Sequence, residues 1–189
     1  MAGRDAVKSE IVKEMHLVAK NETCPVCGKK SLEIYHATLN LPYFGEAVEM
    51  AAFCRSCGWK HADVMLTEER KGVEYEVVIK SEEDMKIRVV RSSTASIYLP
   101  DLGISIEPGP YAEGFVSNIE GVLERILDIL FQLLRDAESD EQREKVEEKI
   151  KQIEKLKVGE ISSKFILRDP RGVSALAGKG VIVRELKNK

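Results

Sequence analysis

Alternation and helical spacing divide this chain before any chemistry is considered. From residue 72 onward the runs GVEYEVVIK, MKIRVVRS, TASIYLPDL and GISIEPGP are short, β-branched and separated by charge, Ser, Pro and Gly. That pattern predicts a mainly antiparallel sheet or barrel. It breaks at NIEGVLERILDILFQLLRDAE, where Ile119, Val122, Leu123, Ile126, Leu127, Leu130, Leu133 and Leu134 recur at a spacing that only a helix brings to one face. Ser117 is the expected N-cap, with Glu120 completing a capping box. A second helix follows, capped by Ser139 with Gln142, and its Val146, Ile150, Ile153 and Leu156 form a narrower stripe. Acidic residues at its start and lysines at its end suit the helix dipole, and Glu141 with Lys145 adds a spaced pair. The first helix is expected to be the buried one and the second the more solvated. Beyond Gly159, KFILRDP and VIVRE return to strand character, so the helices form a hairpin, residues 118–157, inserted between strands of one β domain, residues 69–189.

Upstream the pattern is different. Leu32, Ile34, Leu39 and Leu41, then Val48, Met50 and Ala52, read as two extended segments joined around Pro42 and Gly45. They lie between two cysteine pairs, CPVCG and CRSCGW, which contain all four cysteines of the chain. A CxxC turn followed by glycine, Gly28 or Gly58, lets the backbone fold under the sulfurs and turn its amides toward thiolate. Two such turns facing each other make a closed tetrahedral site, so Cys24, Cys27, Cys54 and Cys57 are expected to hold one structural zinc with no open position for water. This four-cysteine zinc ribbon is taken as residues 21–68, preceded by an N-terminal extension over residues 1–20.

Composition narrows the function. A chain of 189 residues, 43% apolar and 32% charged, is long enough to bury a core and suits two units, one of them small. No run approaches the length of a spanning helix, and the start, MAGRDAVKSEIVKEMH, lacks the apolar centre of a signal peptide. No membrane association and a cytoplasmic location are therefore expected, where the cysteines stay reduced. A net charge of -3 and a pI near 5.8 oppose an electrostatic hold on nucleic acid. A nucleic-acid-binding ribbon stays as the alternative, through Lys29, Lys30, Arg55, Lys60 and His61 near the knuckles.

Catalysis finds little support. His16, His36 and His61 all precede the β domain, which removes a cupin-type metal barrel, and no phosphate loop or nucleophile motif is present. Glu82, Glu83 and Asp84 read as caps of a turn or short helix. Phe44 and Trp59 on the ribbon, and Phe115 at the helix start, either cover core or anchor a partner. The expectation is a binding protein, not an enzyme.

The stretches CPVCG, LPYFGEAVEMAAFCRSCGWKHADV, RVVRSSTASIYLPDLGISIEPG, GFVSNIEGVL and FILRDPRGVSAL, taken in order from Cys24 to Leu176, resemble the ZPR-type zinc-finger family. The resemblance implies a zinc ribbon followed by a β domain of double-stranded β-helix type carrying an α-helical hairpin. Eukaryotic members carry two such modules in tandem; this sequence has one, similar to archaeal members. The family implies a non-catalytic binding protein associated with translation elongation factor one-alpha, whose folding it assists. Partner contacts are then expected at Phe44 and Trp59 on the ribbon and at Phe115, Ser117 and Glu120 in the GFVSNIEG loop, where a glycine on each side exceeds what a helix cap requires.

Overall fold

A computed structural model describes residues 12–68 and 71–186. The first unit is a four-stranded antiparallel meander of β1 (Val12–Thr23), β2 (Lys30–Leu41), β3 (Gly45–Cys54) and β4 (Lys60–Leu66), paired in chain order. Residues 12–20, read from sequence as part of an extension, are instead the edge strand of this sheet, from Val12 opposite Leu39 to Thr23 opposite Lys30. VKEMHLVAKNET has no clean alternation, because an edge strand with Met15, Leu17 and Val18 all exposed buries neither face. Residues 1–11 lie outside the described residues. β4 was likewise unmarked, since WKHADV mixes charge with apolar positions.

The second unit begins with β5 (Val73–Ile79), whose alternate residues Val73, Tyr75, Val77 and Ile79 are buried. Then come β6 (Arg88–Arg91), β7 (Ser96–Leu99), β8 (Ile104–Ile106) and β9 (Phe115–Asn118), which leads directly into α1 (Ile119–Arg135). α2 (Asp140–Lys157) returns the chain to β10 (Ser163–Asp169), β11 (Ala175–Ala177) and β12 (Ile182–Glu185). The strands form a five-stranded sheet, β12-β5-β10-β7-β8, and a three-stranded sheet, β11-β6-β9, that share one apolar core with the helices. All pairings are antiparallel. The helical hairpin lies between β9 and β10, as the return of strand character beyond Gly159 implies.

Burial of the hairpin differs from the sequence expectation in one respect. α1 buries Ile119, Val122, Leu123, Ile126, Leu127 and Leu130, but α2 buries Ile150, Ile153 and Leu156 just as deeply: Ile153 is 0% exposed and Leu130 is 8%. The first half of α2 is solvated and the second half is core, so the contrast runs along α2 rather than between the two helices. Leu133, assigned to the α1 stripe, is exposed together with Ile129 and Phe131. At the start of α2 the Ser139 hydroxyl accepts from the Gln142 amide and Lys145 pairs with Glu141, both as expected. Asp84, in the acidic run, accepts from the Lys80 amide and the Ser81 hydroxyl and so closes a turn.

The two units are not separate globules. Ala37, Leu39, Leu41, Ala47, Val64 and Leu66, at the β2–β3 hairpin end of the meander, belong to the same core cluster as the second unit. Polar links reinforce the seam: the Ser93 amide and hydroxyl donate to Asp63, the Leu66 amide to the Val173 carbonyl, and the Gly114 amide to the Ala62 carbonyl. A Cβ on Gly114 would stand 2.2 Å from Asp63 Oδ1 and 2.5 Å from the Val64 nitrogen. The glycine is there to let the loop before β9 lie against β4.

Candidate metal centre and flanking surfaces

The opposite end of the meander is built twice from one local device. In the first knuckle the Gly28 amide donates to the Cys24 carbonyl at 2.9 Å and the Cys24 amide to the Lys29 carbonyl at 3.0 Å. In the second the Gly58 amide donates to the Cys54 carbonyl at 3.0 Å and the Cys54 amide to the Trp59 carbonyl at 2.8 Å. Gly28 and Gly58 have φ of 69° and 76°, a left-handed conformation that side chains with a Cβ resist, so each CxxCG turn needs its glycine.

The result brings four sulfurs together. All four Sγ atoms lie within 4.8 Å of one another, with Cys24 to Cys57 at 3.8 Å and Cys27 to Cys54 at 3.7 Å. A tetrahedron with metal–sulfur bonds of about 2.3 Å has edges of about 3.8 Å. The quartet is thus shaped for one zinc, and its donor set is the soft one zinc takes in closed structural sites. Cys24 and Cys54 are buried, Cys27 is half-buried and Cys57 is exposed.

Electrostatics says why an ion belongs there. The Ser31 hydroxyl, 3.2 Å from Cys54 Sγ, leads the interactions that bring the Cys54 thiol down to about 6; the Cys57 and Ser56 amides assist, against the effect of burial. At Cys57 the Trp59 amide favours thiolate, yet burial and the neighbouring Cys54, Cys27 and Cys24 sulfurs push the thiol up to about 12. Four thiolates in one cluster repel each other, and a dication removes that cost, which ties metal uptake to proton release.

Around this centre the apolar cover is small. Leu32 with Cys24 and Cys54 makes a buried cluster, against which Ile34, Ala52, Cys27 and Trp59 pack. Trp59 also stacks on His61, with ring centroids 5.9 Å apart and planes within 4°. His61 is therefore a stacking partner with Glu113 beside it at 3.9 Å. Arg55, inside the second knuckle, donates to buried Glu33 at 2.9 and 2.8 Å, and Tyr35 adds a bond at 2.7 Å. These bonds, Arg55 first and Tyr35 second, hold the Glu33 carboxyl below its usual range. Neither Ser31 nor the Glu33–Arg55 latch is marked by any motif; each depends on the register that sets Leu32 opposite Cys54.

The other singled-out residues lie elsewhere. Phe44 sits at the β2–β3 turn, at the end remote from the sulfurs, and packs on the main core; its neighbour Tyr43, with φ of 75°, is 81% exposed under Arg88. Phe115 is half-buried between two guanidiniums, Arg91 at 5.7 Å and Arg125 at 4.6 Å from its ring centre. The helix cap is Asn118, not Ser117: its side chain accepts from the Gly121 amide at 2.8 Å. Ser117 is one residue too early for that role, because β9 stays extended through Asn118, opposite Arg88, and the helix begins only at Ile119. The one-residue shift puts Gly121 at the third helical position and Glu120, exposed, at the second, so no capping box forms. A Cβ on Gly121 would lie 2.3 Å from Ser117 Oγ. Both glycines of the loop thus have packing reasons.

A polar hub that sequence reading passed over joins two of the quoted stretches. Asp169, 0% exposed, accepts from the hydroxyls of Ser92, Thr94 and Ser174 and from the amides of Arg171 and Val173. It ties RVVRSSTAS to RDPRGVS, and the spacing of hydroxyls around an Asp-Pro turn was the available signal.

Residues 17–71 match the ZPR1 zinc-finger domain and residues 83–180 match the ZPR1 jelly-roll domain. A ZPR1-like protein of Methanocaldococcus jannaschii is 48% identical over 84% of this chain and 80% of its own length. One of Pyrococcus horikoshii is 42% identical over 96% of this chain and 82% of its own. The "Zinc finger chaperone zpr1" of Schizosaccharomyces pombe is 30% identical over 62% of this chain, which spans 26% of that longer protein. With paired knuckles that fit one metal ion, a jelly roll behind them and archaeal relatives of matching extent, the chain belongs to the ZPR1 zinc-finger family.

Proposed function

We propose that this chain is a protein-binding module that engages translation elongation factor one-alpha and assists its folding, working by contact without catalysis. The reading is supported by the family, in which one relative bears the name of a zinc finger chaperone, and above all by one surface observation. α1 leaves Ile129 and Leu133 exposed one turn apart on one flank of its buried stripe, and Phe131 on the other, at 46%, 51% and 41% exposure. Ile129 and Leu133, neighbours one turn apart on a rigid helix, are what a client or partner would cover. Glu120 stands exposed at the same helix's start. Phe44 and Phe115 serve this reading less, since both pack on the core. The nucleic-acid alternative is weakened by the commitment of Arg55 to Glu33 and by the stacking of His61 on Trp59.

The test is co-purification of the elongation factor with the intact, zinc-loaded protein and with a Leu133→Glu variant. Recovery with the parent and loss of roughly tenfold or more with the variant, at unchanged zinc content and melting temperature, is the expected result. Equal recovery with both removes the α1 surface from the reading, and no recovery with either removes the partner.

A further inference from the structure

Between β8, the loop before β9 and one flank of α1 lies a cavity of about 380 Å³ that the metal centre does not use. Ile97, Ile106 and Ile126 give it an apolar wall, and Phe115 closes one side. Its volume falls within the range of small-molecule sites. The unusual feature is Arg91, only 6% exposed. Its Nε donates to the Ala95 carbonyl at 3.1 Å and its Nη1 to the Glu113 carbonyl at 2.8 Å. Both partners are neutral, and neither contact carries a formal charge to offset that of Arg91.

The carboxylates nearest in charge, Asp63 and Asp169, are taken up by serine and threonine hydroxyls and amides. Burial accordingly pulls the Arg91 pKa below the usual guanidinium value while those two charges oppose the shift. A second guanidinium, Arg125, also lines the cavity from α1, and it has no carboxylate partner among the described residues. A buried cation bonded only to neutral groups is costly unless an anion completes it.

We propose that this cavity binds a small monocarboxylate with an apolar body, its carboxylate received by Arg91 and Arg125 and its hydrocarbon part by the isoleucine wall and Phe115. Asp128 also borders the cavity, and its charge disfavours a phosphate dianion more than a monocarboxylate. The site shares Ile129 with the α1 surface of the partner reading, but small-molecule binding to the purified chain does not depend on that partner.

The experiment uses the zinc-loaded full chain and follows amide and methyl resonances of Phe115, Ile106 and Ile126 on titration with 3-phenylpropionate, the neutral 3-phenylpropan-1-ol and phenyl phosphate. The carboxylate should shift these signals saturably and bind about tenfold or more tightly than the alcohol, as a charge-assisted hydrogen bond implies. Phenyl phosphate should bind more weakly than the carboxylate. Arg125→Gln should lower carboxylate affinity several-fold and leave the alcohol unaffected, and Ile129→Trp, which fills the cavity from its exposed rim, should abolish both. Equal binding of acid and alcohol, tighter binding of the phosphate, no response to Ile129→Trp, or no saturable shift with any probe overturns the proposal.

Discussion

At one end of the meander three buried residues, Cys24, Leu32 and Cys54, surround four sulfurs; at the other, Ala37, Leu39, Leu41, Ala47, Val64 and Leu66 merge with the core of the jelly roll. The same strands, β2 and β3, run through both ends. What holds them changes along their length, from metal–thiolate bonds to apolar burial. An end with so little buried surface cannot offset the entropy of ordering two knuckles, and a structural metal supplies what the missing core would. The hairpin end needs no ion, because Ala47 and its neighbours are covered by a second unit. A single sheet thus spans two stability regimes, and the boundary lies within its strands rather than between domains.

The largest effect that can break this contrast is loss of the ion. Cys54→Ser should lower zinc from about one per chain to a small fraction of that and remove much of the roughly 10–16 kcal/mol of apparent metal-binding energy from the knuckle end. Metal analysis with near-ultraviolet circular dichroism at Trp59 checks it. Full zinc retention would mean that three sulfurs suffice. A smaller effect on the other side is expected from Phe165→Ala, at a side chain 0% exposed in β10: about 3–5 kcal/mol of stability lost in denaturant titration, with zinc content unchanged.

Gly114→Ala probes the seam. Its Cβ collides with the β4 backbone and Asp63, so about 1–3 kcal/mol should be lost, with the Asp63–Ser93 bonds disturbed first. Chemical shifts at Ser93 and Val64 report this, and an unaltered melting curve would show the seam to be loose. The smallest effect tests the helix start: Asn118→Ala should cost about 1 kcal/mol and Ser117→Ala clearly less, as measured by urea unfolding. The reverse order would return the cap to Ser117.

Much of this was legible in the sequence because the local signals agree with the fold. Cys-x-x-Cys-Gly specifies a knuckle by itself, and the alternation in GVEYEVVIK and the helical spacing after Asn118 carry over to β5 and α1 almost residue for residue. What was not legible depends on pairing. β1 has no apolar face of its own, so nothing marks it until β2 is beside it. The cap at Asn118 rather than Ser117 follows from how far β9 pairs with β6, and the roles of Gly114 and Gly121 follow from what crosses them. Arg91 carries no motif; its meaning comes from carbonyls contributed by Ala95 and Glu113. Leu133 shows the converse, an apolar residue in register with the core stripe that the fold leaves exposed.

Hydrogen exchange of the full chain with and without a metal chelator tests the two-regime account most directly. With zinc removed, the amides of Cys24, Gly28, Cys54 and Gly58, bonded within the knuckles, should lose protection together with the adjoining parts of β2 and β3. Amides of Val73–Ile79 and Ser163–Asp169, and Leu66 at the hairpin end, should exchange as slowly as before. Loss of protection throughout the chain, or none at the knuckles, would contradict the claim that metal and apolar core hold different ends of one sheet.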